Sequence, residues 1–264
     1  MKIATPRIYL INKPSFNEEA LKEYLYNEEL PDITQSSTAN NEDEAIVETA
    51  ARLCYNSFGR GRKNIKDFID NLLKSKDGSV FEHVNYGFLM VGISRSLSHE
   101  LVRHRAGFAY SQQSQRYVDE SEAGYVLPPL YSELEPEDAY MMINLFDEFM
   151  EENMSMYNSL VSMGEEMVEN KVNVKRSDQR KVVRSAARAV LPNMTETRMM
   201  VTANVRAWRH FIEMRASYFA DAEIRRLALM VLDVLKKEAP LFFDDFEVKE
   251  QNGVTIAVPE YSKV

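Results

Sequence analysis

Between Arg103 and Tyr117 the chain sets three arginines and a histidine among serines, glutamines and aromatics: Arg103-His104-Arg105, then Ser111-Gln112-Gln113-Ser114, then Gln115-Arg116-Tyr117. No other stretch restricts the possible folds as much. The whole chain carries a formal net charge of −9, so this concentration of cations is local. Guanidinium groups keep their charge at any biological pH and bind phosphate through two parallel hydrogen bonds. A charge run usually ends as a solvated face. Here the hydroxyls and amides between Arg105 and Arg116 supply short donors and acceptors suited to a phosphate or a nucleobase edge. The segment therefore reads as part of an anion pocket, and the fold has to deliver it there.

At 264 residues the chain can form one large domain or two small ones. Its 45% hydrophobic and 28% charged residues are those of an ordinary globular protein. No window is apolar for long enough to span a bilayer. Pro6 and Arg7 come too early for a signal peptide, and a lone cysteine, Cys54, fits a reducing cytoplasm. The acidic balance argues against a duplex-DNA binder but leaves room for a mononucleotide pocket. No G-x-G-x-x-G fingerprint occurs, so a dinucleotide would have to be held without a Rossmann fold.

Residues 1–12 read as an opening strand and 17–27 as a helix capped by Ser15 or Asn17. Residues 31–43 are polar and turn-rich, an expected exposed loop. Spacing gives a helix over 44–54 with Ile46, Val47, Ala50 and Leu53 on its inner side, and a buried, structural Cys54 at its end. A loop at 56–64, a helix at 65–74 and a strand at 85–93 follow. Ser94 then caps a helix that runs towards Arg105. On such a helix Arg103 and His104 diverge by about 100°, so they would serve two different bound groups. Residues 138–170 form a long helix whose stripe of Met142, Leu145, Phe146, Phe149, Met156, Tyr157, Leu160 and Val161 reads as core.

Beyond Lys171 the sign of charge flips. Lys175, Arg176, Arg180, Lys181, Arg184 and Arg188 precede Pro192, and Arg180, Arg184 and Arg188 stack at helical spacing. Three like charges in a row need facing carboxylates or a ligand. Thr195 or Thr197 caps a last polar-apolar helix, on which Asn204, Trp208, Phe211 and Arg215 share a stripe while Arg206 and His210 pair on another face. A buried stripe with polar ends is unusual unless something polar binds there. An amphipathic helix at 223–237 and a hairpin turned at Asn252-Gly253 close the chain.

Arg103-His104-Arg105 followed by Ser114-Gln115-Arg116 resembles the signature of the flavin-dependent thymidylate synthases, with eight residues (106–113) where the commonest spacer has one fewer. Glu82-His83, Ala187-Arg188-x-x-Leu191-Pro192 and Asn204-x-Arg206 through Arg215 are similar to further segments of that family, in the same order. The resemblance spans about residues 45–246, leaving 247–264 as a tail. It implies an α+β fold with a mixed sheet, long packed helices and a non-Rossmann flavin site, built as a single domain over 1–264. It implies reductive methylation of dUMP to dTMP, with methylenetetrahydrofolate as carbon donor, FAD as hydride carrier and NADPH as reductant. Glu100, Arg103, Gln112, Gln113, Ser114, Gln115, Arg116, Arg188 and Arg215 would then bind dUMP, Arg215 favouring the ionised pyrimidine. His83, Asn85, Arg103, His104, Arg105, Gln112, Asn204, Arg206 and His210 would hold FAD. A cytoplasmic homotetramer with shared active sites and small-molecule partners, free of nucleic acid and membrane, completes what the family implies. Phe219 stands where many members have a histidine.

Two other readings compete. A helical metalloenzyme would use His83, His99, His104 and His210, but no two of these share a ligand spacing and arginines flank two of them. A helical RNA-binding or interaction protein would use the basic run at 175–188.

Overall fold

The computed structural model describes residues 2–34, 36–132, 134–171 and 175–264, and the side chains of 132, 169–171, 176 and 177 are outside that description. Met1 of the expected opening strand, Gln35 of the expected loop and the Arg176 side chain of the basic row therefore lie outside the described residues.

Helices and strands alternate irregularly along the chain, as the α+β expectation requires. Strand β1 (Arg7–Asn12) is followed by helices α1 (Glu18–Asn27), α2 (Glu42–Cys54) and α3 (Ile65–Ser75). A 3₁₀ turn, Gly78–His83, then leads into β2 (Asn85–Ser94), α4 (Arg95–Leu101) and β3 (Phe108–Gln112). The short α5 (Pro129–Ser132), the long α6 (Pro136–Lys171) and α7 (Arg176–Ala187) come next, then β4 (Glu196–Asn204) and α8 (Val205–Arg215). Last come α9 (Ala222–Glu238), α10 (Pro240–Phe243) and the strands β5 (Phe246–Gln251) and β6 (Val254–Pro259). Among the described residues one sheet has the order β1-β2-β4-β3, and β5 and β6 form an antiparallel hairpin.

Local chemistry sets several of these boundaries. Asn17 Oδ1 accepts from Ala20 N at 3.1 Å and starts α1, and Asn64 does the same for α3 through Asp67 N. Asn252 and Gly253 have φ of 51° and 77°, the left-handed pair that a two-residue hairpin turn needs.

One expected helix ends early and another gives way to a strand. The helix begun at Ser94 ends at Leu101, not Arg105, because the chain must turn at Gly107 to form β3. Gly107 has φ +74°, and a Cβ there would sit 2.7 Å from Asn204 Nδ2, so no helix continues through it. The divergence of Arg103 and His104 on a common helix is thereby withdrawn. Similarly, 196–204 is β4 rather than the lead-in to a helix capped at Thr195 or Thr197. Its alternate residues Thr197, Met199, Val201 and Ala203 are buried, and α8 is capped instead by Asn204 Oδ1, which accepts from Ala207 N at 2.8 Å.

Contacts within the chain divide it into two compact units. The first comprises Met1–Arg7, Leu89–Arg103 and Tyr110–Met200. In it α6 lies on α7 closely enough that a Cβ on Gly164 would meet Val183 Cγ1 at 2.8 Å. Met154, Tyr157 and Ala187 are the buried residues at that junction. The expected core stripe of α6 is corrected here: Leu145, Phe149, Met156 and Leu160 are exposed, as are Tyr140, Met141, Met163 and Met167. Hydrophobic periodicity marked a face correctly but could not say whether this chain covers it.

The second unit comprises Ile8–Phe88, His104–Ala109 and Val201–Val264. Its core centres on Trp208, whose ring lies edge-on to Phe88, Phe108 and Phe211 at 5.1–5.7 Å and whose Nε1 donates to Tyr86 O. On α2 the buried side is Asp43, Glu44, Val47, Glu48, Ala51 and Arg52. Arg52 pairs with Glu48 at 2.6 Å and donates to the carbonyls of Ser57, Arg60 and Arg62. With that buried polar network the inner side centres between Val47 and Glu48, and Ile46 and Ala50 are only half-buried. Leu53 and Cys54 end up exposed, which corrects the buried thiol expected from sequence.

Candidate active site

In the first unit the basic row of α7 meets the end of the 103–117 segment. Arg184 donates to Tyr117 O at 2.8 Å and to Asp119 Oδ2 at 2.7 Å, so a carboxylate neutralises the middle of the row. Arg116 Nε donates to Ser185 Oγ at 3.1 Å, and Ser114 Oγ accepts from Arg116 N. Lys181 Nζ lies 5.2 Å from the Tyr117 ring centre, and the hydrogen bond between the two, with the added charge of Arg116, lowers the phenol's pKa. Arg116 and Arg188 remain exposed. The glutamines are framework. Gln112 Nε2 donates to Ser98 Oγ at 3.0 Å and Thr197 Oγ1 at 3.2 Å, Gln113 N donates to Arg198 O, and Gln115 is buried.

Two residues here were not singled out from sequence. Arg95 opens α4, where a cation opposes the helix dipole, and that misfit is the signal that marks it. Burial lowers its pKa, Glu120 opposes that shift, and the neighbouring charge of Arg188 adds to it. Glu120 is 3% exposed, and burial pushes its carboxyl upward against the pull of Arg95 and a hydrogen bond from Gln113. An arginine whose charge is opposed by a second guanidinium nearby favours a bound anion at that place.

In the second unit Arg215, half-buried at the end of α8, donates from Nε to His104 Nε2 at 2.9 Å. His104 is therefore neutral, with its proton on Nδ1. Burial, then Arg215, then His210 lower its pKa from 6.5 to about 4. Its ring sits 5.2 Å from Phe211 and 6.1 Å from His210. In the first turn of α8, Arg206 Nη1 pairs with Glu82 Oε1 at 2.6 Å and its Nε donates to Val264 O at 3.1 Å. His83, Asn85, Arg105 and His210 are exposed. Phe219 is 92% exposed and lies edge-on to Tyr218 at 5.4 Å.

The residues expected to bind a nucleotide thus fall mainly in the first unit: Glu100, Arg103, Gln112, Gln113, Ser114, Gln115, Arg116 and Arg188. His83, Asn85, His104, Arg105, Asn204, Arg206, His210 and Arg215 belong to the second. No group of three His, Cys, Asp or Glu side chains among the described residues is arranged to hold a metal ion, and Arg215 already occupies His104 Nε2. No helix of the described residues is long and apolar enough to cross a membrane.

A neutral His104 makes stability depend on pH. The unfolded chain takes up a proton near 6.5 and the folded one near 4, so stability is complete above 6.5 and declines as pH falls towards 4. The expected loss is about 3 kcal/mol at most. Denaturant midpoints at pH 7 and pH 4.5 should converge in His104→Asn, and equal pH sensitivity in both proteins would contradict the assignment.

The fold is that of a nucleotide-modifying enzyme already solved. The structure superposes on a UMP/dUMP methylase, PolB, from Streptomyces cacaoi, solved with 5-Br dUMP, with a TM-score of 0.64 over 91% of this chain and 94% of that chain. At 18% identity this is a likeness of fold. Residues 36–241 match the family described as thymidylate synthase complementing protein. Relatives named flavin-dependent thymidylate synthase are 40% identical in Mycolicibacterium vanbaalenii, over 94% of this chain and 92% of theirs. The relative in Mycobacterium tuberculosis is 42% identical over 83% of this chain and 85% of its own. The chain belongs to the flavin-dependent thymidylate synthase family.

Proposed function

We propose that this protein converts dUMP to dTMP, with methylenetetrahydrofolate as carbon donor, FAD as cofactor and NADPH as reductant. Family membership over nearly the whole chain carries this reading. The residues suit it. An amide, a guanidinium and exposed imidazoles at Asn204, Arg206, His83 and His210 form a donor set suited to a flavin nucleotide, alongside Asn85, His104 and Arg105. FAD, when bound and reduced, supplies hydride. The chain's own residues bind and polarise. Arg116, Ser114, Arg188 and Arg95 hold the dUMP phosphate and sugar, assisted by Glu100, Arg103 and the Gln112–Gln115 framework. Arg215, oriented by His104, stabilises negative charge on the pyrimidine. No protein nucleophile is needed, and exposed Cys54 is not assigned one.

We also propose a cytoplasmic homotetramer whose sites are shared between subunits and whose ligands are small molecules. The exposed apolar side of α6 supports association, because so large an apolar surface is seldom left in water. Light scattering of the purified protein reads the mass directly. The domain assignment stays with a single functional domain over 1–264.

The deciding experiment is formation of dTMP by purified protein with its bound chromophore. A yellow protein that yields dTMP only with dUMP, methylenetetrahydrofolate and NADPH present is the expected result. A colourless protein that takes up no FAD overturns the reading. Arg95→Gln and Arg188→Gln should each weaken dUMP binding about 10- to 100-fold, the worth of one charge-assisted hydrogen bond, with kcat at saturation little changed. An unchanged dUMP dissociation constant in Arg95→Gln would remove that residue from the clamp.

A further inference from the structure

The segment after β6 lies along one face of α8. Arg206, Arg209 and Glu213 stand at i, i+3 and i+7, so successive turns of the helix present them on one side. Each holds a different residue of the segment. Arg206 Nε donates to Val264 O at 3.1 Å, and Arg209 Nη2 donates to Tyr261 O at 3.0 Å. Glu213 accepts from Ser262 Oγ through one oxygen and from Lys263 N at 3.3 Å through the other. The hairpin before it is docked as well, by Ala257 N to Ala216 O at 2.8 Å. Gly78 closes the arrangement from the other side. A Cβ there would lie 2.5 Å from Val264 C and 2.8 Å from Arg206 Nε, so the backbone, the strap and the guanidinium meet where only glycine fits.

Arg206 thus has two of its edges fixed, Nη1 by Glu82 and Nε by the strap. Two such contacts restrict the rotamers of the guanidinium before any ligand arrives, which is what preorganised binding requires. The family match ends at residue 241, so the strap lies beyond it. We infer that residues 260–264 form a positioning strap that sets the Arg206 guanidinium for its anionic ligand, and that Glu213, which anchors the strap, acts on cofactor binding through Arg206. The inference rests on the proposed assignment of Arg206 to FAD. Glu213 touches no ligand in this scheme and is a positioning residue.

The test is a double-mutant cycle on the dissociation constant for FAD, measured by titrating flavin-stripped full-length protein, with thermal melting followed in parallel. Glu213→Ala should weaken FAD binding about fivefold or more. In an Arg206→Ala background the same substitution should add less than twofold, because its route of action is gone. Glu213→Gln, which keeps one oxygen to accept from Lys263 N and an NH2 that can donate to Ser262 Oγ, should recover most of the affinity. A merely structural role would make the two losses multiply in full, and that result overturns the inference, as does wild-type affinity in Glu213→Ala. If Arg206→Ala itself binds FAD like wild type, the assignment of Arg206 fails instead, and the inference falls with it for a distinguishable reason.

Discussion

Replacing Arg215 with alanine is expected to lower the rate of dTMP formation at least 10²- to 10³-fold while FAD content and melting temperature stay near wild type. The size follows from the role. A fixed donor beside charge that develops in the transition state contributes little to ground-state binding and much to the rate, and removing one such donor commonly costs this much. The structure supplies the fixing. Arg215 spends Nε on His104 at 2.9 Å, and burial keeps that imidazole neutral and able to accept. Lysine at 215 keeps the charge but has no planar group to share between His104 and a ligand, so Arg215→Lys should fall nearly as far. His104→Asn, which leaves the guanidinium in place without the imidazole that accepts from its Nε, should show an intermediate loss. The measurement is single-turnover formation of dTMP with dUMP saturating, beside the flavin spectrum of the same preparation. Turnover within a factor of a few of wild type in Arg215→Ala would sink the assignment.

Motif residues were legible because their chemistry is unusual in itself: an arginine-histidine cluster in an acidic chain, or an asparagine and an arginine bounding the Trp208-Phe211 stripe. The hairpin at Asn252-Gly253 and the cap at Asn17 were legible because a few atoms decide them. Three errors share a different cause. Thr197, Met199, Val201 and Ala203 alternate in the sequence, but the helical pattern that starts at Asn204 adjoins them directly and hides the change of period. On α2 the apolar spacing named Val47 correctly but missed the buried polar side, because Glu48 and Arg52 satisfy one another and pairing is invisible to hydrophobic periodicity. On α6 the stripe was read correctly as apolar, yet its burial depends on what covers it, which lies outside local sequence. Arg95 and Glu120 were missed because each looks ordinary alone, and only their approach within the first unit gives them meaning.

Asp245→Ala should be the most destabilising substitution on the strap side of α8, by about 3–5 kcal/mol. Arg209 and Asp245 have side chains only 4% and 8% exposed and are joined by two hydrogen bonds, at 2.6 and 2.8 Å. Arg209 also donates to the carbonyls of Phe242 and Tyr261, and its guanidinium lies 5.0 Å from the Phe246 ring centre. Asp245 in turn accepts from Tyr261 N at 3.2 Å. Removing the carboxylate leaves a full positive charge almost cut off from solvent, which costs more than the pair ever contributed. Removing both charges in Arg209→Met/Asp245→Leu should therefore be milder than Asp245→Ala alone, even though the carbonyls of Phe242 and Tyr261 lose a donor. Urea unfolding of the three variants decides it, and a cost below about 1 kcal/mol for Asp245→Ala would show that the pair is not buried in solution. The same variant bears on the flavin side. Tyr261 belongs to the strap that ends on Arg206, so Asp245→Ala should weaken FAD binding as well as stability, whereas a surface pair such as Lys66 and Asp70 should do neither when broken.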